Sequence, residues 1–147
     1  MDERDLTLRQ ETYRLFVKLG RAPTIDEVGQ ATDLARRDVS AGWQRLHDAH
    51  ALVLDRETGQ IRMAAPFSAV ATAFRVYAAG RSWYGNCAWD AFGVCAALRV
   101  DGAIETACPD CNEAIRINVR EERPWPSDSV FHCLVPAARW WDDPVFT

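Results

Sequence analysis

The sequence predicts an α+β protein: an N-terminal winged-helix-like domain of three helices, followed by a small mixed sheet packed on a helix. Three observations predict this fold: apolar residues at helical spacing in the first third, a hairpin pattern after them, and alternating apolar segments in the second half. The 147 residues are 48% hydrophobic, which is enough for one ordinary domain or two small ones. We divide the chain into domains at 1–68 and 69–147.

The first third of the chain predicts three helices. The apolar residues of the first helix run to Gly20, and glycine is a common C-terminal stop. Thr24 followed by Glu27 is the pattern of a capping box, so a short second helix begins there and extends to about Thr32. A third helix is predicted over about 35–49, because its apolar residues are spaced to share one buried face.

A β-hairpin is predicted after the helices, because the apolar segments 51–54 and 60–63 flank a turn that contains Gly59. Three helices and a hairpin form a winged-helix pattern, which suggests a DNA-binding regulator. The charge argues against that function. Residues 1–68 contain ten Lys and Arg against eleven Asp and Glu, whereas a DNA-reading helix normally lies in a basic surface. We therefore expect a scaffold domain and no nucleic-acid partner.

The second half predicts one helix and several strands. The connector 64–70 contains Pro66, which disfavours a continuous helix or a central strand. A helix is predicted from about Asn86 to Leu98. The predicted strands are 74–77, 103–107, 114–119 and 130–135.

Composition limits the function classes. A net charge of −4 and a pI of about 5.3 argue against binding to nucleic acid or to a membrane surface. The sequence has no secretory signal, and no apolar run approaches the roughly 20 residues of a membrane span. We therefore expect a cytoplasmic protein whose cysteines are reduced and serve in metal binding or catalysis rather than in disulfides.

Cys87 and Asp90 lie three residues apart at the predicted start of a helix. Positions i and i+3 share a helix face, so the sulfur and the carboxyl can reach one bound atom. Sulfur binds soft metals, and a carboxyl can give a proton to the group that leaves the metal. The helix N-terminus is expected to lower the pKa of the Cys87 thiol. A buried structural cysteine beside a surface aspartate is the alternative.

Several segments surround this pair in a characteristic order. They are Pro-Phe-Ser at 66–68, Tyr-Gly-Asn-Cys-Ala-Trp-Asp-Ala-Phe-Gly at 84–93, His-Cys-Leu-Val-Pro at 132–136 and Trp-Trp-Asp-Asp-Pro-Val-Phe-Thr at 140–147. Together they resemble the organomercurial (alkylmercury) lyase family, over most of the chain. The resemblance implies cleavage of a carbon–mercury bond to a hydrocarbon and mercuric ion, with Cys87 as the first catalytic cysteine and Asp90 as the catalytic aspartate.

The resemblance also implies the partners of the reaction. The substrate is a small organomercurial, no cofactor is required, and Hg(II) remains as the bound product. Small cellular thiols or a mercuric-ion acceptor protein would receive it. Family members usually place a second catalytic cysteine directly after a segment like 145–147, where this sequence ends. The second thiolate would then come from Cys133, Cys108 or Cys111, which the sequence does not rank.

Cys108 and Cys111 also support a different interpretation. Two thiols separated by two residues form half of a zinc knuckle, so a structural zinc is an alternative. Cys87 could be a third ligand, and at most one of His132 and Cys133 can face the same site, because neighbouring residues on a strand point to opposite faces. In the family resemblance, Cys108 falls near a cysteine outside the catalytic core. Cys95 is expected to pack inside the protein.

The sequence therefore leaves three candidate functions. The first is an organomercurial lyase, the second is a relative that binds Hg or Zn without cleaving a bond, and the third is a winged-helix metal-responsive regulator. Trp83, Tyr84 and Trp89 could form an apolar pocket for the organic group, with core packing as the alternative for each.

Overall fold

The structure is a computed structural model that describes residues 2–125, 130, 133 and 135–143. The chain divides into two compact units, Met1–Ala64 and Ala65–Thr147. Phe67–Ser68 form a strand that pairs with a strand of the second unit. Helices and antiparallel strands make up both units, which confirms the α+β class.

The first unit consists of three helices and a hairpin, in the predicted order. These elements are α1 (Glu3–Leu19), α2 (Ile25–Thr32), α3 (Arg36–Asp48), β1 (Val53–Leu54) and β2 (Ile61–Ala64). Gly20 ends α1 in the left-handed conformation, with φ 70°. Thr24 and Glu27 form the predicted capping box at the start of α2. Both helix boundaries are therefore set by local signals.

A buried hydrogen-bond chain joins α1 to α3. The indole Nε1 of fully buried Trp43 donates to Thr12 Oγ1 at 3.0 Å, and the Thr12 hydroxyl donates to the Leu8 carbonyl at 2.8 Å. Nearby, Arg45 forms an ion pair with Asp5 at 2.7 Å. The Arg45 hydrogen bond is the main reason that the pKa of Asp5 lies below its ordinary value. A basic side chain of α3 is thus bound within the unit.

The Thr12 hydroxyl supports a stability prediction. Val has the same shape and branching as Thr, so Thr12→Val should keep the helix but leave the buried Trp43 N–H without an acceptor. We expect a loss of about 1–3 kcal/mol in the opening free energy of α1 and α3, measured by amide hydrogen exchange. Thr7→Val is the matched control: the Thr7 hydroxyl also donates to a carbonyl four residues back, but it is exposed. Its effect should stay within about 0.5 kcal/mol, and equal losses in both variants would contradict the prediction.

The second unit is a sheet with one helix packed on it. Its elements are β3 (Phe67–Ser68), β4 (Phe74–Ala78), β5 (Arg81–Gly85), α4 (Ala88–Leu98), β6 (Gly102–Ala107), β7 (Ala114–Arg120), β8 (Arg123–Trp125) and a short 3₁₀ helix, Ala137–Arg139. The strand order is β3-β5-β4-β6-β7-β8. The paired strands are antiparallel where a mixed sheet was predicted. Tight turns join β4 to β5 and β6 to β7, and such neighbours pair antiparallel.

The predicted helix and the strands at 74–77, 103–107 and 114–119 are present. Three strands were not predicted. β3 has two residues and follows Pro66, which argues locally against a central strand; β5 is rich in aromatic residues that we interpreted as pocket walls; and β8 has three residues. Residues 131, 132 and 134 of the strand predicted at 130–135 lie outside the described residues, and the described residues 130, 133 and 135 belong to no strand. None of the helices in the described part of the chain is long and apolar enough to cross a membrane.

The position of α4 depends on two close approaches. A Cβ on Gly85, the last residue of β5, would lie 2.6 Å from the Ala91 backbone nitrogen, and one on Gly93 would lie 2.9 Å from Pro66 Cβ. Real Cβ atoms do not come this close, so the two glycines let the helix lie directly on the sheet. Cys95 is buried on this face of α4, as predicted.

Candidate active site

Cys87 is the N-cap residue of α4 and directly follows the short link from β5. Its backbone is extended, with φ −139°. Asp90 lies in the first turn of the helix, and both side chains are half-buried. The close contact of Gly85 with the first turn holds this end of the helix against the sheet. The spacing of the two residues therefore brings a thiol and a carboxyl to one place, as the sequence predicts.

The pKa of the Cys87 thiol is raised. The prediction that the helix N-terminus lowers this pKa is therefore wrong. Burial is the largest cause, and the nearby negative charge of Asp90 raises the pKa further. The backbone N–H groups of Asp90 and Trp89 oppose this rise, but the side chain makes no capping hydrogen bond of regular geometry. Loss of hydration therefore outweighs the effect of the helix terminus on the Cys87 pKa.

The pKa of the Asp90 carboxyl is also raised, and again burial is the main cause. Asn86 Nδ2 donates to Asp90 Oδ2 at 3.2 Å and lowers the pKa in part. A raised pKa makes the Asp90 carboxyl easier to protonate than an ordinary aspartate, which favours proton transfer. Sequence reasoning gave Asn86 no role, although an amide four residues before an aspartate on a helix is a recognisable signal.

Among the other candidate thiols, Cys133 acts electrostatically on Cys87. The charge of its thiolate form is the smallest of the causes that raise the Cys87 pKa. Two hydrogen bonds order the chain around it: the Cys133 thiol donates to the Val135 carbonyl at 3.0 Å, and Trp140 Nε1 donates to the same carbonyl at 2.8 Å. The Trp140 ring in turn packs against Trp89 in the first turn of α4, with ring centroids 6.3 Å apart. This segment thus lies beside the Cys87 end of the helix.

Cys108 and Cys111 lie in the turn between β6 and β7, and neither is among the groups that act on Cys87. Cys108 is half-exposed and Cys111 is exposed. Within the described ranges, no three His, Cys, Asp or Glu side chains are arranged to hold a metal ion. The described residues therefore offer no complete zinc site, which needs four ligands.

The three aromatic residues proposed as pocket walls lie in different environments. Trp83 is only 2% exposed and packs on Phe67, with ring centroids 6.0 Å apart, so it belongs to the core. The Arg75 guanidinium lies over the Tyr84 ring. Trp89 is 61% exposed and lines a cavity of about 730 Å³ beside α4. Cys87 and Asp90 are not among the described residues that line this cavity.

Comparison with known proteins identifies the family. The sequence model of the alkylmercury lyase family, MerB, matches residues 67–147, which is more than half of the chain. This chain belongs to the alkylmercury lyase family. The resemblance noted in the sequence is thereby confirmed, and the matched region of this lyase-family chain includes Cys87, Asp90 and all three other candidate thiols.

Solved structures give the same fold. The crystal structure of the mercury-bound form of MerB2 matches with a TM-score of 0.66 and 21% sequence identity, covering 84% of this chain and 59% of that chain. The lyase-family chain described here thus spans 59% of the length of that relative. At this identity the match shows the fold alone. The comparison with curated proteins found no match.

The influence of Asp90 on Cys87 can be measured directly. Asp90→Asn removes a negative charge beside the sulfur, so the Cys87 pKa should fall and alkylation of Cys87 near neutral pH should become faster. The measurement is the rate of iodoacetamide labelling at Cys87 against pH, followed by peptide mass spectrometry. Asp33→Asn is the control, since Asp33 is exposed in the first unit and has a left-handed backbone that Asn tolerates. An unchanged Cys87 profile in Asp90→Asn would show that the carboxyl does not act on the thiol.

Proposed function

We propose that this protein is an organomercurial lyase, which cleaves carbon–mercury bonds by protonolysis with Cys87 as mercury-binding thiolate and Asp90 as proton donor. One observation carries the proposal: in a chain of the alkylmercury lyase family, a thiol and a carboxyl share the half-buried first turn of α4, and both have raised pKa values. Cys87 therefore keeps a proton that mercury can displace, and the Asp90 carboxylate takes up a proton more readily than an ordinary aspartate.

The first step is thiol exchange at mercury. An organomercurial enters as R–Hg–SR′, and Cys87 replaces the small thiol, which leaves as R′SH with the Cys87 proton. Because mercury is soft, the new bond to sulfur compensates for the raised pKa of Cys87. The half-buried position of Cys87 favours this exchange with a neutral adduct, since no free charge has to enter the site.

The second step uses another thiol and the Asp90 carboxylate. We assign this thiol to Cys133, because its charge acts on Cys87 and the Trp140–Trp89 contact holds its segment beside α4. As the Cys133 sulfur binds mercury, its proton passes to Asp90. The added thiolate pushes electron density onto the mercury-bound carbon.

The third step breaks the carbon–mercury bond. Protonated Asp90 gives its proton to the carbon, the hydrocarbon leaves, and Asp90 returns to its carboxylate form. Hg(II) remains on the two sulfurs and is removed by small thiols or by an acceptor protein. Because the cycle needs reduced cysteines throughout, we place the protein in the cytoplasm.

A DNA-binding regulator is less well supported. Two arginines of α3 form ion pairs inside the first unit, Arg45 with Asp5 and Arg36 with Asp26. These side chains are already neutralised, whereas binding to DNA phosphates draws on free positive charge. We therefore assign the first unit a scaffold role.

Release of benzene from phenylmercuric acetate, in the presence of excess small thiol, tests the lyase function. Headspace gas chromatography should detect benzene from the wild type. Cys87→Ser should lose both stoichiometric mercurial binding and cleavage. Asp90→Ala should keep binding but lose about 10²–10⁴-fold in cleavage rate, the usual contribution of a positioned acid.

Wild-type benzene release by either variant would contradict the role assigned to that residue. Stoichiometric retention of the mercurial by the wild type, without benzene, would instead identify a relative that binds mercury and does not cleave the bond.

The second thiol has a test of its own. With no small thiol added, Cys133→Ser should slow a single turnover by at least about tenfold, equivalent to about 1.4 kcal/mol of transition-state stabilisation. Excess small thiol should restore much of the rate, because it can supply the missing sulfur. Cys95→Ala is the control, since Cys95 is buried on the sheet side of α4 and should not affect turnover. A full rate for Cys133→Ser without added thiol would remove Cys133 from the mechanism.

A further inference from the structure

The turn between β6 and β7 carries a pair of cysteines that the proposed reaction does not use. Cys108 directly follows β6, and Cys111 comes three residues later in the segment Cys-Pro-Asp-Cys. The turn is closed by two backbone hydrogen bonds: the Cys108 N–H donates to the Glu113 carbonyl at 2.9 Å, and the Asn112 N–H donates to the Cys108 carbonyl at 2.9 Å. Both cysteines are free, and both reach solvent. The pair is thus ordered and accessible.

The hydrogen bond from the Asn112 N–H to the Cys108 carbonyl closes a single helical turn, so Cys108 and Cys111, three residues apart, lie on the same side of it. The pKa of the Cys108 thiol is lowered, the opposite of the change at Cys87, and the causes are the Cys111 N–H, the Asp110 N–H and the Cys111 side chain. Two accessible thiols on one side of a turn, one of them with a lowered pKa, are well suited to bind a thiophilic ion.

The donor set selects the kind of ion. Hard cations such as Mg²⁺ and Ca²⁺ need several oxygen ligands, and structural zinc needs four ligands. In the described part of the chain, no third His, Cys, Asp or Glu side chain joins this pair to make a metal-binding group. Two thiolates alone suit a soft ion of low coordination number, such as Hg(II).

The strand register places this turn at the same end of the sheet as Cys87, where β5 and β6 both finish. Gly85 at the end of β5 pairs with Phe74 of β4, and Arg75 pairs with Glu105 of β6. Strands β5 and β6 therefore run in the same direction on either side of β4, and both finish at this end of the sheet. Neighbouring strands lie about 4.8 Å apart, so the two strand ends are separated by about 10 Å.

We propose that Cys108 and Cys111 form a second mercury site, which takes up the Hg(II) produced at Cys87. That the Hg(II) comes from Cys87 rests on the proposed lyase function. The binding of Hg(II) by Cys108 and Cys111 does not. Transfer exchanges Hg–S bonds one for one. The Cys108 and Cys111 sulfurs each form a bond to mercury and release a proton, and the Cys87 and Cys133 sulfurs each lose their bond and regain a proton. No atom changes oxidation state.

The binding step is tested without the lyase site. The full-length Cys87→Ser/Cys133→Ser protein is reduced, mixed with HgCl₂ and excess glutathione, and desalted, and its mercury content is measured by elemental mass spectrometry. We expect about one Hg per chain, held by two sulfurs. Adding Cys108→Ser or Cys111→Ser should reduce the retained mercury at least about tenfold. Adding Cys95→Ala, which removes a thiol elsewhere in the unit, should leave it unchanged.

Circular dichroism of each variant shows whether it is folded, and serine replaces cysteine at accessible turn positions, where the fold should tolerate it. No retained mercury in the folded Cys87→Ser/Cys133→Ser protein would overturn the proposal. One Hg shared by two chains in native mass spectrometry would also overturn it, because the turn would then be only half of an intermolecular site.

The transfer step is tested with one equivalent of phenylmercuric acetate. After benzene release, the wild type should retain mercury against glutathione at least about tenfold better than Cys108→Ser/Cys111→Ser. Equal retention by both proteins would overturn the transfer. Mercury binding by Cys87→Ser/Cys133→Ser without benzene from the wild type would support the second site while rejecting the lyase function, so the two failures are distinguishable.

Discussion

The direct contact of α4 with the end of β5 is the constraint on which the candidate active site depends. Gly85 has no Cβ, so the backbone of Ala91 can approach it more closely than any other residue would allow. This contact presses the first helical turn onto the sheet and removes Cys87 and Asp90 partly from water. Loss of hydration penalises the charged form of each group, and it is the largest cause of both raised pKa values. The acid–base character of the site therefore follows from packing.

The second unit holds cysteines in two contrasting environments. Cys87 is half-buried beside a carboxyl and keeps its proton, whereas Cys108 lies in an accessible turn whose N–H donors favour the thiolate. The first environment suits a reaction in which protons must be retained until mercury arrives and then delivered to carbon. The second suits capture of an ion that is already free of its organic group. Both follow from the competition between hydration and local hydrogen bonding.

The first unit is stabilised by its own polar interactions. The Trp43–Thr12 hydrogen bond and the Arg45–Asp5 ion pair both connect α1 with α3, and both include buried polar groups that are satisfied by their partners. Buried polar groups are costly unless they are paired, so these contacts favour one arrangement of the two helices. Charged side chains of the unit thus contribute to its own packing. The family match begins at Phe67 and lies in the second unit.

Sequence alone determined the features that depend on neighbours within about four residues: the capping box at Thr24, the end of α1 at Gly20, and the spacing that joins Cys87 to Asp90. The family resemblance, which rests on whole segments in order, was also readable from the sequence and was confirmed. Only the tertiary structure decided the rest. The raised pKa of Cys87 reflects burial, and the contact of Trp140 with Trp89 reflects the packing of a distant segment on α4. No local pattern encodes either, because hydration and long-range contacts are set only when remote parts of the chain meet.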